Sequence, residues 1–563
     1  MTVAASPLFT STPVTGAAEG LPYTYQLTVN GSAAIFSLTN GPHGATLSGS
    51  TLSWTPAPEQ SRVPNSFTVT ATASDGASAT QSWTVTPAGT VRISWIDRLW
   101  NEQGSTTTKP FDWSPAGSLV AALVPQPDGS FKSLSGTAAA NGEFDIPNVP
   151  GGYYWLKISP RSMYWTSSST FDVGSDAFAP VTNPTVPGSS STNISFSFTS
   201  LDPTAVSGLL QFDTPDVPLP RYLGSTNAGS TTFSGSLGIG SNLDFSLIKN
   251  GFARQYEPTV FGSVDGFVLG PELTLTNLSL TTGAFNTISG ALNPVVPASM
   301  QLSVQGSAWA SLFDRVSPTA PTALGGAFYL SVEPYIASDS PNLSGATTMD
   351  LLWTKGSSVV GGSGFFSVLP SGCVPNPPLT TDVEAGAVRY NDPFPAIWRR
   401  TFRVCHAASV DFAVPGTSQM QTISVTNDQT TLPPTSTVKP LLSSVLNPKI
   451  NGGDLFVAST VSSTGVILSW DPPAIGTPFG YQVAIMSPTA SLNGATAIYL
   501  SSMVLGTAKN SMTLPPGVLR SGQTYLFVIS ALTDGRASME TSPHRSSLPT
   551  ADAEVISAPI ATN

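Results

Sequence analysis

Glycine and proline, fifty of each, punctuate this chain so often that its apolar residues fall into short alternating runs. Phe67, Val69, Ala71 and Ala73 share one parity, Asp75-Gly76 interrupts, and Trp83 and Val85 resume it. Period-two alternation places one set of side chains on one face of a strand, and Asp-Gly supplies the backbone freedom a tight hairpin needs. The runs Glu272-Leu273-Thr274-Leu275, Phe328-Tyr329-Leu330-Ser331-Val332 and Gly364-Phe365-Phe366-Ser367-Val368 read the same way. The expected fold is therefore all-β, with many short strands joined by turns and no helix of catalytic-domain length.

Charged residues make up 10% of the chain, against about 25% in ordinary globular proteins. Disorder does not follow, because the chain is 40% apolar and carries 27 Phe, 13 Tyr and 11 Trp as core material. The 563 residues exceed one core, and a prior of roughly 150 residues per domain gives about three to five domains. With net charge −11 and only 22 Lys plus Arg, a phosphate-tracking surface is not expected, so no nucleic acid partner is assigned. The same deficit argues against docking on anionic membranes. No stretch reaches the ~18 apolar residues that span a bilayer, so no membrane insertion is expected. Met1 to Gly20 lacks Lys, Arg and an apolar core, and so does not read as a signal peptide. Two readings stay open: the signal was removed and Met1 added, or export uses another route. The modules described next favour the first and an extracellular or cell-surface location.

Residues 1–88 contain Tyr23-Thr24-Tyr25-Gln26-Leu27, Thr51-Leu52-Ser53-Trp54-Thr55-Pro56, Ser74-Asp75-Gly76 and Gln81-Ser82-Trp83-Thr84-Val85. This series resembles bacterial putative-Ig, cadherin-like repeats and implies a β-sandwich. Calcium-binding relatives cluster acids at the domain ends. Only Glu19, Glu59 and Asp75 are available here, so calcium is not carried over.

Residues 89–190 hold the signature Gly142-x-Phe144-x-Ile146-x-x-Val149-Pro150-x-Gly152-x-Tyr154-x-Leu156. It resembles the carboxypeptidase-regulatory-like, transthyretin-type sandwich. Asn141-Gly142 and Pro150-Gly151-Gly152 are expected to turn the chain, with Phe144, Ile146, Tyr154 and Leu156 entering the core. The catalytic domain that gave this module its name uses a zinc-binding His-x-x-Glu, and no His in this chain begins one. The module is therefore read as non-catalytic.

Residues 191–436 read as β-rich and resemble no particular family. Asn193 to Phe212 and Asn277 to Val296 share a loose pattern that hints at an internal repeat. Residues 437–563 carry Ile467-Leu468-Ser469-Trp470-Asp471-Pro472-Pro473, Gly480-Tyr481-Gln482-Val483 and Leu519-x-x-Gly522-x-Thr524-Tyr525-x-Phe527. These resemble a fibronectin type III domain, and the resemblance implies that the Tyr525 hydroxyl bonds back to the upstream backbone. Ser521 stands where the family usually has proline.

Chemistry is sparse. His43, His406 and His544 fall in different modules, so neither a Ser-His-Asp triad nor a multi-His metal site assembles easily. No Gly-x-Ser-x-Gly elbow or phosphate loop is present. Asp244, Glu257, Asp265, Glu272, Asp314, Glu333 and Asp350 leave a glycoside hydrolase open as an alternative, because that chemistry needs only two facing acids. Arg399, Arg400 and Arg403 form the densest basic patch, read as structural arginines ahead of an acidic-glycan contact. No cofactor or metal is assigned. Cys373 and Cys405, the only cysteines, lie 32 residues apart (405 − 373) and are expected to form one disulfide.

Five of the eleven Trp lie between Trp95 and Trp165. If Tyr154 and Leu156 face the core, strand parity turns Tyr153 and Trp155 to the other face, where with Trp165 they are candidates for a flat sugar-stacking platform. The competing reading buries them against a neighbouring domain. The sequence thus points to a non-enzymatic binding or structural protein for adhesion, matrix or fibre spacing. Its partners would be polysaccharide, other surface proteins or further copies of itself. A secreted carbohydrate-active enzyme and a subunit of a surface assembly remain alternatives.

Overall fold

The computed structural model describes residues 6–30, 34–100, 105–114, 119–159, 162–178, 186, 191–214, 216, 222–239, 243–261, 264–294, 298–320, 323–332, 357–361, 381–390, 400–410, 421–429, 435–487, 489–490, 496–497, 503–535, 537–545 and 549–563. The protein is all-β. Among the described residues the longest helix is the five-residue turn Gly306–Ala310. The chain divides into two compact units, one of Met1–Ser94 with Phe111–Asp172, the other of Trp95–Pro110 with Val173–Asn563.

The first unit opens with a sandwich. One sheet pairs Tyr23–Gln26, Thr51–Trp54 and Thr46–Ser48; the other pairs Ala34–Asn40, Asn65–Ala73 and Ser78–Val85. Phe67, Val69, Ala71 and Ala73 are all buried, as their shared parity requires. Phe67 stacks on Trp83 and meets Trp54 edge-on. Gly76 turns the hairpin at φ +88°, and the Asp75 carboxylate accepts the Ala77 amide.

A second sandwich follows within the same unit. One sheet orders Thr137–Ala138, Glu143–Val149, Gly89–Ser94 and Thr170–Asp172, with the last strand parallel to its neighbour. The facing sheet pairs Phe131–Ser135 with Ala121–Pro125, that strand with Tyr154–Ser159, and Tyr154–Ser159 with Ser162–Thr166. Asn141, Gly142 and Gly152 adopt positive φ, which lets the chain reverse where Asn141-Gly142 and Pro150-Gly151-Gly152 were expected to turn it. Phe144, Ile146, Tyr154 and Leu156 are buried. Trp113 closes the core end, its indole N–H donating to the Gly142 carbonyl at 2.9 Å.

In the second unit, Thr192–Thr199 lies between Thr232–Ile239 and Phe285–Ala291 over a core that includes Ile194, Phe196, Phe198 and Phe212. The hint of a repeat does not survive here. Residues 193–199 form a strand, whereas 277–283 form a loop whose Leu278 and Leu280 pack into that same core. Apolar residues two apart satisfied the pattern without a strand.

The C-terminal part has a sheet of Leu446–Ile450, Gly453–Asp454, Ile467–Asp471 and Ser511–Thr513. A second set of strands runs Met503–Thr507, Gly480–Met486, Thr524–Thr533 and Thr550–Ile556. Thr550–Ile556 has another neighbour: its other edge pairs with Gln421–Gln429. That strand continues through Arg400–Val410 to Ala323–Val332. One antiparallel ladder therefore runs unbroken from the middle of the chain into its C-terminal region.

Candidate functional site

The aromatic row sits on the central strand Tyr154–Ser159. Trp155 lies directly opposite Trp165 on one neighbour and Leu123 on the other, with Trp155 and Trp165 ring centroids 5.3 Å apart. The Tyr153 ring stacks on Trp165 at 5.6 Å and 25°. Parity thus groups Tyr153, Trp155 and Trp165 as the sequence suggested. It does not leave them open. Trp155 is 0% exposed, as are Tyr154 and Leu156 on the opposite parity, so both faces of this strand are covered. A fully buried ring offers no stacking surface, and the platform expected at Trp155 is withdrawn for that reason. Tyr153 and Trp165 are half-buried.

Two of the candidate acids, Asp244 and Glu272, hold the fold. Asp244 accepts the Ser246 amide and hydroxyl and the Thr282 hydroxyl, capping the turn Phe245–Leu247. The Ser246 hydroxyl contributes most to holding its pKa below the usual value. Glu272 is buried 3.5 Å from Arg254, its register partner on the adjacent strand, and Arg254 also lies over the Phe252 ring. Asp314 is exposed. Glu333 and Asp350, like Gly364–Val368 as a strand, lie outside the described residues, as do the side chains of Asp265, Arg400, Arg403 and His406. The expected Cys373–Cys405 disulfide also falls outside: Cys373 is not described, and of Cys405 only the backbone of Arg400–Val410 is.

His43 is exposed, whereas His544 is buried beside Arg545. Burial first and the adjacent guanidinium second push the His544 imidazole down to a pKa of about 4. Arg545 donates to the Ser175 carbonyl at 2.9 Å and to the Ile96 carbonyl at 2.5 Å, tying its loop to the strands Ile96–Trp100 and Asp176–Phe178. Tyr525 makes the bond its resemblance implies, its hydroxyl oxygen accepting the Arg520 amide at 2.8 Å.

Two groups that sequence reasoning passed over stand out in the first unit. Arg62 is 7% exposed, yet it lies in a surface-type loop, Gln60-Ser61-Arg62-Val63-Pro64, with no neighbouring motif to mark it. Burial pulls its pKa below the usual arginine value, while Tyr154 beneath it works the other way. Glu19, noted only as a would-be calcium acid, is engaged by protein donors. Burial opposes its ionisation, but the Thr90 amide, the Arg92 guanidinium and the Ser61 hydroxyl outweigh that and hold its pKa low.

Residues 6–88 match the family described as "Putative Ig domain", which places the first sandwich in the Ig-like class. No curated protein matches the chain. Solved structures similar to it include Sidekick-1 immunoglobulin domains 1–5, at 10% identity and TM-score 0.14, covering 99% of this chain and 99% of that one. Protocadherin gamma B2 extracellular cadherin domains 3–6 align at 12% identity and TM-score 0.15, covering 98% and 99%. A tetra-tandem repeat in the extending region of a large adhesion protein aligns at 10% identity and TM-score 0.12, covering 90% and 98%. Among the described residues, no helix is long and apolar enough to cross a membrane.

Proposed function

We propose that the protein is an extracellular or cell-surface structural and binding component, in which β-sandwich modules space or join other surface material. The observation that carries this reading is the employment of its rare charged groups. Asp244 caps a turn, Glu272 pairs with a buried arginine, Glu19 fastens two modules and Arg545 ties two chain segments. Each holds backbone or strands in place. The proposed modules are 1–88, 89–190, 191–436 and 437–563, the second carboxypeptidase-regulatory-like and the last fibronectin type III-like. Support for the last is the Tyr525 hydrogen bond; support for the second is the positive-φ turns at Gly142 and Gly152 around a buried Phe144, Ile146, Tyr154 and Leu156. Polysaccharide, another surface protein or a second copy is the proposed partner. Any sugar contact on the second module falls to Tyr153 and Trp165.

The test is cosedimentation of the full chain with insoluble cell-wall polysaccharides, run beside analytical ultracentrifugation and a reducing-sugar assay. Binding or self-association without sugar release supports the proposal. Sugar release that disappears when a carboxylate in 191–436 is replaced by its amide would transfer the protein to the hydrolases, and inertness in all three assays would sink the binding role.

A further inference from the structure

We propose that the first two modules are locked into one rigid body by protein groups alone, with Arg62 as the bolt and no cation required. The junction would be locked in this way whatever the protein binds.

The strand Ser78–Val85 ends and Gly89–Ser94 begins with only Thr86, Pro87 and Ala88 between them. A short linker limits reach but still permits bending, and relative motion is the default for neighbouring domains. Here the linker is itself fixed. Ala88 donates to the Ala17 carbonyl at 2.9 Å, and Glu19 donates to the Ala88 carbonyl at 2.8 Å. The Glu19 carboxylate then reaches the next module, accepting the Thr90 amide at 2.9 Å and pairing with Arg92 at 2.6 Å.

Arg62 makes the deeper connection. Its backbone amide donates to Pro87, the linker's middle residue, at 2.8 Å. Its side chain leaves the first module, and Nη2 donates to the Gly152 carbonyl at 3.0 Å and the Ser167 carbonyl at 3.1 Å. Those acceptors stand on two different turns of the second module. The guanidinium lies 4.5 Å from the Tyr154 ring centroid, and the Tyr154 hydroxyl donates to Ser168. Swinging the modules apart in any direction pulls the guanidinium from one turn, the other or the ring.

Close approach completes the joint. A Cβ on Gly89 would come within 2.6 Å of the Ser61 Cβ, and one on Gly151 within 2.5 Å of Thr86 Cγ2. Neither glycine has a positive φ, so close contact at the junction, not backbone conformation, is what requires the missing side chain. Arg62 itself sits at φ +62°, an unfavourable setting for a non-glycine residue, and its Nε and Nη1 are buried with no hydrogen-bond partner. An apolar residue would be easier to bury there. What the arginine supplies instead is a directional connection that only one relative placement of the modules satisfies. Of the acids that might have gathered a cation, Glu19 is occupied as above, Asp75 accepts the Ala77 amide of its own hairpin and Glu59 is exposed, and no three candidate ligand residues group together among the described residues.

The test is pulsed electron-spin distance measurement in the full chain, with ketone-bearing residues replacing the exposed Ser37 and Ser133 so that the native cysteines are untouched. One narrow distance is expected, identical in EDTA and in millimolar calcium. Arg62→Met keeps the stem and removes the bonds, and should broaden the distribution at least about twofold, toward ordinary domain mobility. Gly151→Val, which wedges the joint from the other module, should do the same and serves where Arg62→Met fails to fold. Near-UV circular dichroism confirms that each sandwich persists. A distribution that narrows with calcium, or one unchanged in both variants, would overturn the proposal.

Discussion

Acid should weaken the second unit through a single histidine. His544 is 6% exposed, and burial, then Arg545, lower its pKa from 6.5 to about 4. The unfolded chain takes up this proton near pH 6.5, whereas the folded chain resists until about pH 4. Stability from this group is therefore complete above pH 6.5 and is lost progressively as the pH falls through that window. At about 1.4 kcal/mol per pH unit, the loss amounts to about 3 kcal/mol. The charge would arrive beside Arg545, whose bonds to Ser175 and Ile96 should then exchange with water. Two assays read this directly. In spectra of [13C]histidine-labelled protein, the resonance missing from His544→Gln should not titrate until about pH 4. In hydrogen exchange, the Arg98 amide, bonded to Ser175, and the Ser175 amide, bonded to Asp97, should lose protection between pH 6 and 4.5 in the native chain and keep it in His544→Gln. An imidazole that titrates near its ordinary value, or equal acid sensitivity in both proteins, would refute the reasoning.

Trp155→Ala should cost about 3–5 kcal/mol in urea denaturation, because the ring is fully buried; an unchanged midpoint would return it to the surface. Tyr525→Phe should cost about 1–2 kcal/mol by leaving the Arg520 amide without its acceptor, read as a shift in the thermal midpoint. Glu272→Ala should lower the urea midpoint by weakening the pairing of the buried Arg254, with part of the loss recovered in the double variant Arg254→Met, Glu272→Leu. Glu19, whose pKa is lowered, should hold the module junction above the ordinary carboxylate range and release it as the pH falls through its folded pKa. The inter-module distance distribution of the native chain should therefore broaden in strong acid, and that of Glu19→Gln should be pH-independent at this contact.

What the sequence disclosed was local. The parity of Phe67 to Ala73, the turn at Asp75-Gly76 and the inward set Phe144, Ile146, Tyr154, Leu156 follow from alternation along a few residues, and the fold obeys them. Tyr525 was legible because the motif that contains it also contains its partner, Arg520. Trp155 was misread because alternation assigns a face and says nothing of what covers it. Leu278 and Leu280 misled in the opposite sense, as loop residues that a core has taken in. Arg62 gave no sign, since its acceptors Gly152 and Ser167 lie 90 and 105 residues away. Buried side-chain-to-carbonyl hydrogen bonds of that span leave no periodicity to detect.

The ladder through Thr550–Ile556 sets an order of events. Gln421–Gln429 gains its second neighbour only when residues more than a hundred positions later have been made, and Trp95–Pro110 waits longer still for Arg545. Met1–Ser94 and Phe111–Asp172 gather into one compact unit. A chain emerging N-terminus first, from a ribosome or through a translocation pore, would thus leave long edges of the second unit unpaired until late. Those edges are the segments a chaperone would have to shield, and a premature stop anywhere before residue 550 would leave one of them permanently open.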